Sequence, residues 1–117
     1  MYTAGIDVGS ITTKAAVMKD GELLSTRIIS TSYNARNAGR KVFDAILSEM
    51  QLQKKQVDRI IATGYGRNSV DFANKAITEI TCHAAGALFL DPDVRSVIDI
   101  GGQDSKAIVI DTKGSVR

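Results

Sequence analysis

Two stretches of this chain hold residue types suited to chemistry on a phosphate. In Gly5-Ile6-Asp7-Val8-Gly9-Ser10-Ile11-Thr12-Thr13-Lys14, an acid sits inside an apolar strand, a Gly-Ser turn follows, and a second strand opens on hydroxyls and a lysine. Glycine lets the backbone come close to whatever occupies the turn, and successive N–H groups in such a turn make an anion-binding concavity. Ser10, Thr12 and Thr13 add hydroxyl donors and Lys14 adds a positive charge. Asp7 suits a hydrated magnesium ion, which keeps several waters and takes only one or two carboxylates. By itself the stretch reads equally as an ordinary hairpin, because Gly-Ser turns between strands are common.

The second stretch, Val97-Ile98-Asp99-Ile100-Gly101-Gly102-Gln103-Asp104-Ser105-Lys106, repeats the design: acid in an apolar strand, glycine turn, polar strand start. An unpaired carboxylate inside an apolar strand is costly, so two at matching turns point to a shared cation. The expectation is that Asp7 and Asp99 face each other across magnesium. Gly9 and Ser10 then cradle a phosphate from one side, and Gly101 and Gly102 from the other.

The elements that must position these residues follow from periodicity. Strands are expected at 2–8 and 12–18, an Asp20-Gly21 turn of hairpin type, and a third antiparallel strand at 22–30. Ala38, Val42, Phe43, Ile46, Leu47 and Met50 recur at helical spacing over 35–51, with Asn34 as the cap. A buried strand at 57–63 stops at Gly64-Tyr65-Gly66-Arg67-Asn68, the kind of loop at which open α/β sheets place ligands. Arg67 reads either as a phosphate contact or as a solvated charge, and Tyr65 as a ligand contact or a half-buried ring. A short helix at 68–74, a strand near 77–80 and a helix from Thr81 to Leu90 come next. That last helix is apolar on most faces, which predicts burial between layers. Cys82 reads as a packed core thiol, and no nucleophile pairs with His83 as a general base. Strands at 95–101 and 105–111 close the second hairpin.

Composition bounds the rest. The 117 residues, 44% of them apolar, suffice for one modest core. A net charge of +2 with scattered Lys and Arg gives no reason to invoke nucleic acid or an anionic membrane. No apolar run approaches the roughly 20 residues of a spanning helix, and the first residues lack a signal-peptide pattern, so a cytoplasmic protein is expected. The single Cys82 rules out an internal disulfide and cannot by itself make a four-thiolate iron–sulfur site.

With these residues in view, the chain resembles the ATPase superfamily of sugar kinases, heat-shock chaperones and actin, GIDVGS matching the first phosphate motif and DIGGQD the second. More closely, Met1-Tyr2-Thr3, Asp7-Val8-Gly9-Ser10, Ala62-Thr63-Gly64-Tyr65-Gly66-Arg67, Glu79-Ile80-Thr81-Cys82-His83-Ala84 and Ile98 to Asp104 resemble the activator ATPases of 2-hydroxyacyl-CoA dehydratases and their relatives, the ATPase subunits of benzoyl-CoA reductases. The resemblance implies an α/β, ribonuclease H-like (actin-like ATPase) domain, with a mixed sheet whose first three strands are antiparallel and helices packed on it. It places a first subdomain at 1–93 and the opening hairpin of a second at 94–117, making the chain the N-terminal portion of a longer protein.

The activity the resemblance implies is ATP hydrolysis that drives a conformational change and low-potential electron transfer to a dehydratase or acyl-CoA reductase component. It implies a homodimer, ATP and magnesium as ligands, and Gln103 or Asp104 orienting the attacking water. A [4Fe–4S] cluster shared between two subunits belongs to the whole protein, through cysteines beyond residue 117. The rival readings are a small-molecule kinase of the same superfamily, with Asp104 as the base, and a non-catalytic half-domain that self-associates.

Overall fold

The computed structural model describes residues 1–32, 34–100 and 105–116. Contacts divide the chain into two units, Met1–Ile77 and Thr78–Arg117. The division falls after residue 77, so the second helix groups with the second hairpin, where the sequence placed the boundary after residue 93.

The first unit is a five-stranded mixed sheet in the order β3-β2-β1-β4-β5, backed by one helix. Strands β1 (Tyr2–Val8), β2 (Thr12–Lys19) and β3 (Glu22–Ser30) form the expected antiparallel meander, and β4 (Val57–Thr63) pairs parallel with β1. Asp20 and Gly21 both take positive φ, +51° and +85°, which the two-residue hairpin turn requires. The Met1 ammonium lies 2.6 Å from Asp20 Oδ1, and this hydrogen bond holds the carboxyl below its ordinary pKa.

Side chains alternate across a strand. On β1, Ala4, Ile6 and Val8 are therefore buried on one face, together with Ala15 and Val17 of β2 and Ile60 and Ala62 of β4. Helix α1 (Ala35–Met50) covers this face with Val42, Phe43, Ile46 and Leu47, as its spacing predicted. Asn34 caps it, its side chain accepting from the Arg36 and Asn37 N–H groups. Its end falls where the spacing put it, and only the conformation of the cap was not legible in the sequence. Gln51 takes the left-handed conformation usually given to glycine, and Leu52 N–H reaches Leu47 O at 2.9 Å.

Two expected elements shift. The helix foreseen at 68–74 is one 3-10 turn, Arg67–Ser69, after which Phe72 stacks on Phe43 with ring centroids 5.1 Å apart. The strand foreseen near 77–80 is β5, Lys75–Ala76, parallel to β4. It is placed by Asn74, which accepts from Ile60 N–H at 2.6 Å and donates from its own N–H to Ile60 O at 2.8 Å.

The second unit holds helix α2 (Glu79–Leu90) and the antiparallel hairpin β6 (Ser96–Ile100) and β7 (Ser105–Val109). Ala84 and Leu88 of the helix pack with Val94, Val97, Ile108 and Ile110. The expected burial of α2 on most faces is not found: Ala84 is its one buried residue, and Phe89 and Leu90 are 55% and 84% exposed.

The core of the first unit predicts its own test. Phe43→Ala, which empties a site 2% exposed, should cost about 3–5 kcal/mol of unfolding free energy in urea titrations.

Candidate functional site

The pleat that buries Ile6 and Val8 sends Asp7 to the opposite face of the sheet. Register pairs Asp7 with Lys14 on β2 and with Thr63 on β4, so these three side chains share that face. Lys14 Nζ lies 3.7 Å from Asp7 Oδ2. Thr12, two residues before Lys14, belongs to the same face. Thr13 does not.

Thr13 is fully buried on the core side, and its hydroxyl lies 2.8 Å from that of Thr31, which in turn donates to Gly9 O at 2.7 Å. A hydroxyl has one hydrogen. Thr31 spends its own on Gly9, so Thr13 donates to Thr31, and the chain of hydroxyls ends on the turn. Thr13, foreseen as a phosphate donor, has its proton engaged inside the fold and fixes the turn from behind. Gly9 is engaged too, its N–H donating to Thr12 O at 3.0 Å, and a Cβ there would meet that oxygen at 2.8 Å. Ser10 and Ile11 are left exposed at the tip, and among the described residues their N–H groups have no acceptor. Thr31 lies just past the end of β3. Its N–H also donates to Ile11 O at 3.0 Å, and nothing local marks it as the clasp of a turn twenty residues away.

The loop after β4 completes this end of the sheet. Gly64 has φ +92°, and a Cβ there would strike Asp7 Oδ1 and come within 2.5 Å of Val8 O. Gly66 N–H donates to Val8 O at 2.9 Å, so the loop is bonded to the strand that carries Asp7. Arg67 turns inward: its N–H and one guanidinium nitrogen both donate to Gly64 O, at 3.1 and 3.0 Å. It therefore staples the loop, with further guanidinium donors to spare. Tyr65 is 85% exposed, not half-buried.

In the second unit, register places Val97, Asp99, Lys106 and Ile108 on the face that packs against α2. His83 Nδ1 comes to 2.8 Å from Asp99 Oδ2, in ion-pair range although out of line for a hydrogen bond. The sequence offered no partner for His83. The two residues meet only because Ala84 and Leu88 seat the helix on the hairpin. Gly101, Gly102, Gln103 and Asp104 lie outside the described residues. Among the described residues no three acidic, cysteine or histidine side chains converge as a metal cage. In the first unit, the Asp7 carboxylate beside the Thr12 hydroxyl is of the kind that a largely hydrated magnesium ion accepts.

The chain has counterparts among known proteins. The model of the BadF/BadG/BcrA/BcrD ATPase family matches residues 4–117. The chain belongs to that family. It is 42% identical, over its whole length, to the activator of lactoyl-CoA dehydratase from Anaerotignum propionicum, of which it spans 45%. It superposes on the solved component A of the (R)-2-hydroxyglutaryl-CoA dehydratase of Acidaminococcus fermentans with a TM-score of 0.92 and 38% identity, covering 99% of this chain and 45% of that one. For the activator of the 2-hydroxyisocaproyl-CoA dehydratase from Clostridium difficile, solved with bound ADPNP, the values are 0.91 and 35%, covering 99% and 43%. The chain thus spans less than half the length of the relatives it matches, and its fold is of the actin-like ATPase type.

Glycine substitutions separate the demands on the loop. Gly21→Ala meets open space at φ +85° and should lose only the backbone strain, about 1 kcal/mol. Gly64→Ala adds a collision with Asp7 and Val8 and should lose about 2–4 kcal/mol in the same denaturation assay.

Proposed function

We propose that this chain is the N-terminal part of an ATP-hydrolysing activator that drives low-potential electron transfer into a 2-hydroxyacyl-CoA dehydratase or benzoyl-CoA reductase-type component. The observation that carries the reading is the grouping of Asp7, Thr12 and Lys14 on one face beside a turn whose tip N–H groups have no acceptor among the described residues. It is supported by the family's name as ATPases and by the activator relatives.

In this reading Ser10 and Ile11 present N–H groups to the phosphates, Ser10 and Thr12 add hydroxyls, and Lys14 swings from Asp7 to a phosphate oxygen. Gly9 and Thr13 hold the turn in shape. Gly101 and Gly102 form the phosphate turn of the second hairpin. Asp7 and Asp99 hold magnesium through its waters, and the ion supplies charge neutralisation at the phosphates. Gln103 or Asp104 orients the water that attacks the γ-phosphorus as the bond to the β–γ bridging oxygen breaks. Positioning and charge do the catalytic work, so no strong nucleophile is required of this chain. His83, beside Asp99, steadies that carboxylate.

The reading makes the whole protein a cytoplasmic homodimer. Its [4Fe–4S] cluster does not fit this chain, which offers the one thiol of Cys82.

Calorimetry with ATP and magnesium tests the reading. Binding should be measurable but weak, because only part of the ligand is contacted while the full loss of its freedom is incurred. Asp7→Ala and Asp99→Ala should each weaken it at least tenfold, the worth of about one charge-assisted contact. Unchanged affinity in both variants, each verified as folded by circular dichroism, overturns the proposal.

A further inference from the structure

The site face holds one group that the proposed function leaves unused. Thr63 ends β4 directly beside Asp7, its register partner across the parallel pair, so its side chain stands on the Asp7 face. Only 8% of it is exposed, and its Oγ1 is buried with no hydrogen-bond partner among the described residues. A buried hydroxyl left unpaired is costly, and other buried hydroxyls of this unit, Thr13 and Thr31, are bonded to each other and to Gly9. The position next to Thr63 is also shaped for close approach. Gly64 lays bare backbone against the Asp7 carboxylate where any side chain would collide with it. Fold stability alone does not call for an unpaired hydroxyl at this point.

We propose that Thr63 is a binding residue of the site: its hydroxyl hydrogen-bonds an oxygen of the magnesium–phosphate group that Asp7 holds. The inference rests on the proposed function, and it adds the end of β4 to the ligand shell. A hydroxyl both donates and accepts, so the oxygen is either that of a phosphate or that of a water on the cation. The two differ in whether magnesium is needed.

The test compares Thr63→Val, which keeps the shape and removes the hydroxyl, with Thr63→Ser, which keeps the hydroxyl. Magnesium-ATP binding is measured by calorimetry and folding by thermal denaturation without ligand. Thr63→Val should have an unchanged or higher Tm, since an unpaired buried hydroxyl is replaced by a methyl group. Its affinity should nevertheless fall about tenfold, while Thr63→Ser binds like the unaltered chain. A structural role predicts the opposite sign in Tm. Repeating the titration with ATP and a chelator assigns the oxygen: a Thr63→Val deficit that persists marks a phosphate oxygen, and one that vanishes marks a cation-bound water. Undiminished affinity of Thr63→Val overturns the inference alone when Asp7→Ala has lost binding. A fall in both Tm and affinity shared by Thr63→Ser overturns it too. Failure of the unaltered chain to bind at all overturns the proposed function, and this inference with it.

Discussion

The first unit depends on a single geometric constraint, the two-residue period of β1. Ala4, Ile6 and Val8 are held against α1 by the burial of apolar surface. Shifting the strand by one residue would put Asp7 into the core and Val8 into water. The core therefore fixes which face the acid takes, and with it the face of Lys14, Thr12 and Thr63 through the neighbouring registers. The chemistry of the site is a by-product of packing on the other side of the sheet.

Around Asp7 the polar groups divide by task. Thr13 and Thr31 bond to each other and to the Gly9 carbonyl, the Gly9 N–H donates to Thr12 O, and together these bonds hold the first turn in shape. The Arg67 guanidinium does the same for the Gly64 loop. What these contacts leave over, the tip N–H groups and the Thr63 hydroxyl, has no partner among the described residues, and Lys14 is held only by its exposed pair with Asp7. Rigid support behind and open donors in front is the arrangement that lowers the ordering cost of binding an anion.

The second unit is built with less. Among the described residues a few small and branched side chains between α2 and the hairpin make up its core, and they bring His83 to Asp99. The outward face of β6 carries Ile98 and Ile100, 78% and 80% exposed. A two-stranded hairpin with one helix is close to the minimum that holds together in water, and α2, apolar around its circumference, contributes only one of its faces to this core.

The sequence by itself determined the local and periodic features. Apolar runs and turn residues marked β1 to β4, helical spacing marked α1, Asp20-Gly21 marked its turn, Asn34 its cap, and the acid-plus-glycine pattern drew attention to Asp7 and Asp99. These are legible because each depends on residues a few positions apart. Strand alternation already implied that Thr12 and Thr13 cannot both face a ligand, although hydroxyl chemistry alone suggested that they do. Only the tertiary structure decided the rest. Thr31 closes on a turn twenty residues back, Gly64 lies against Asp7 from the far side of a helix, Thr63 stands beside Asp7 without a partner, and α2 carries His83 to Asp99. Each of these pairings joins segments far apart in the chain. Their residue types are common and their meaning comes from distance, which strand register and helix packing set and no local pattern encodes.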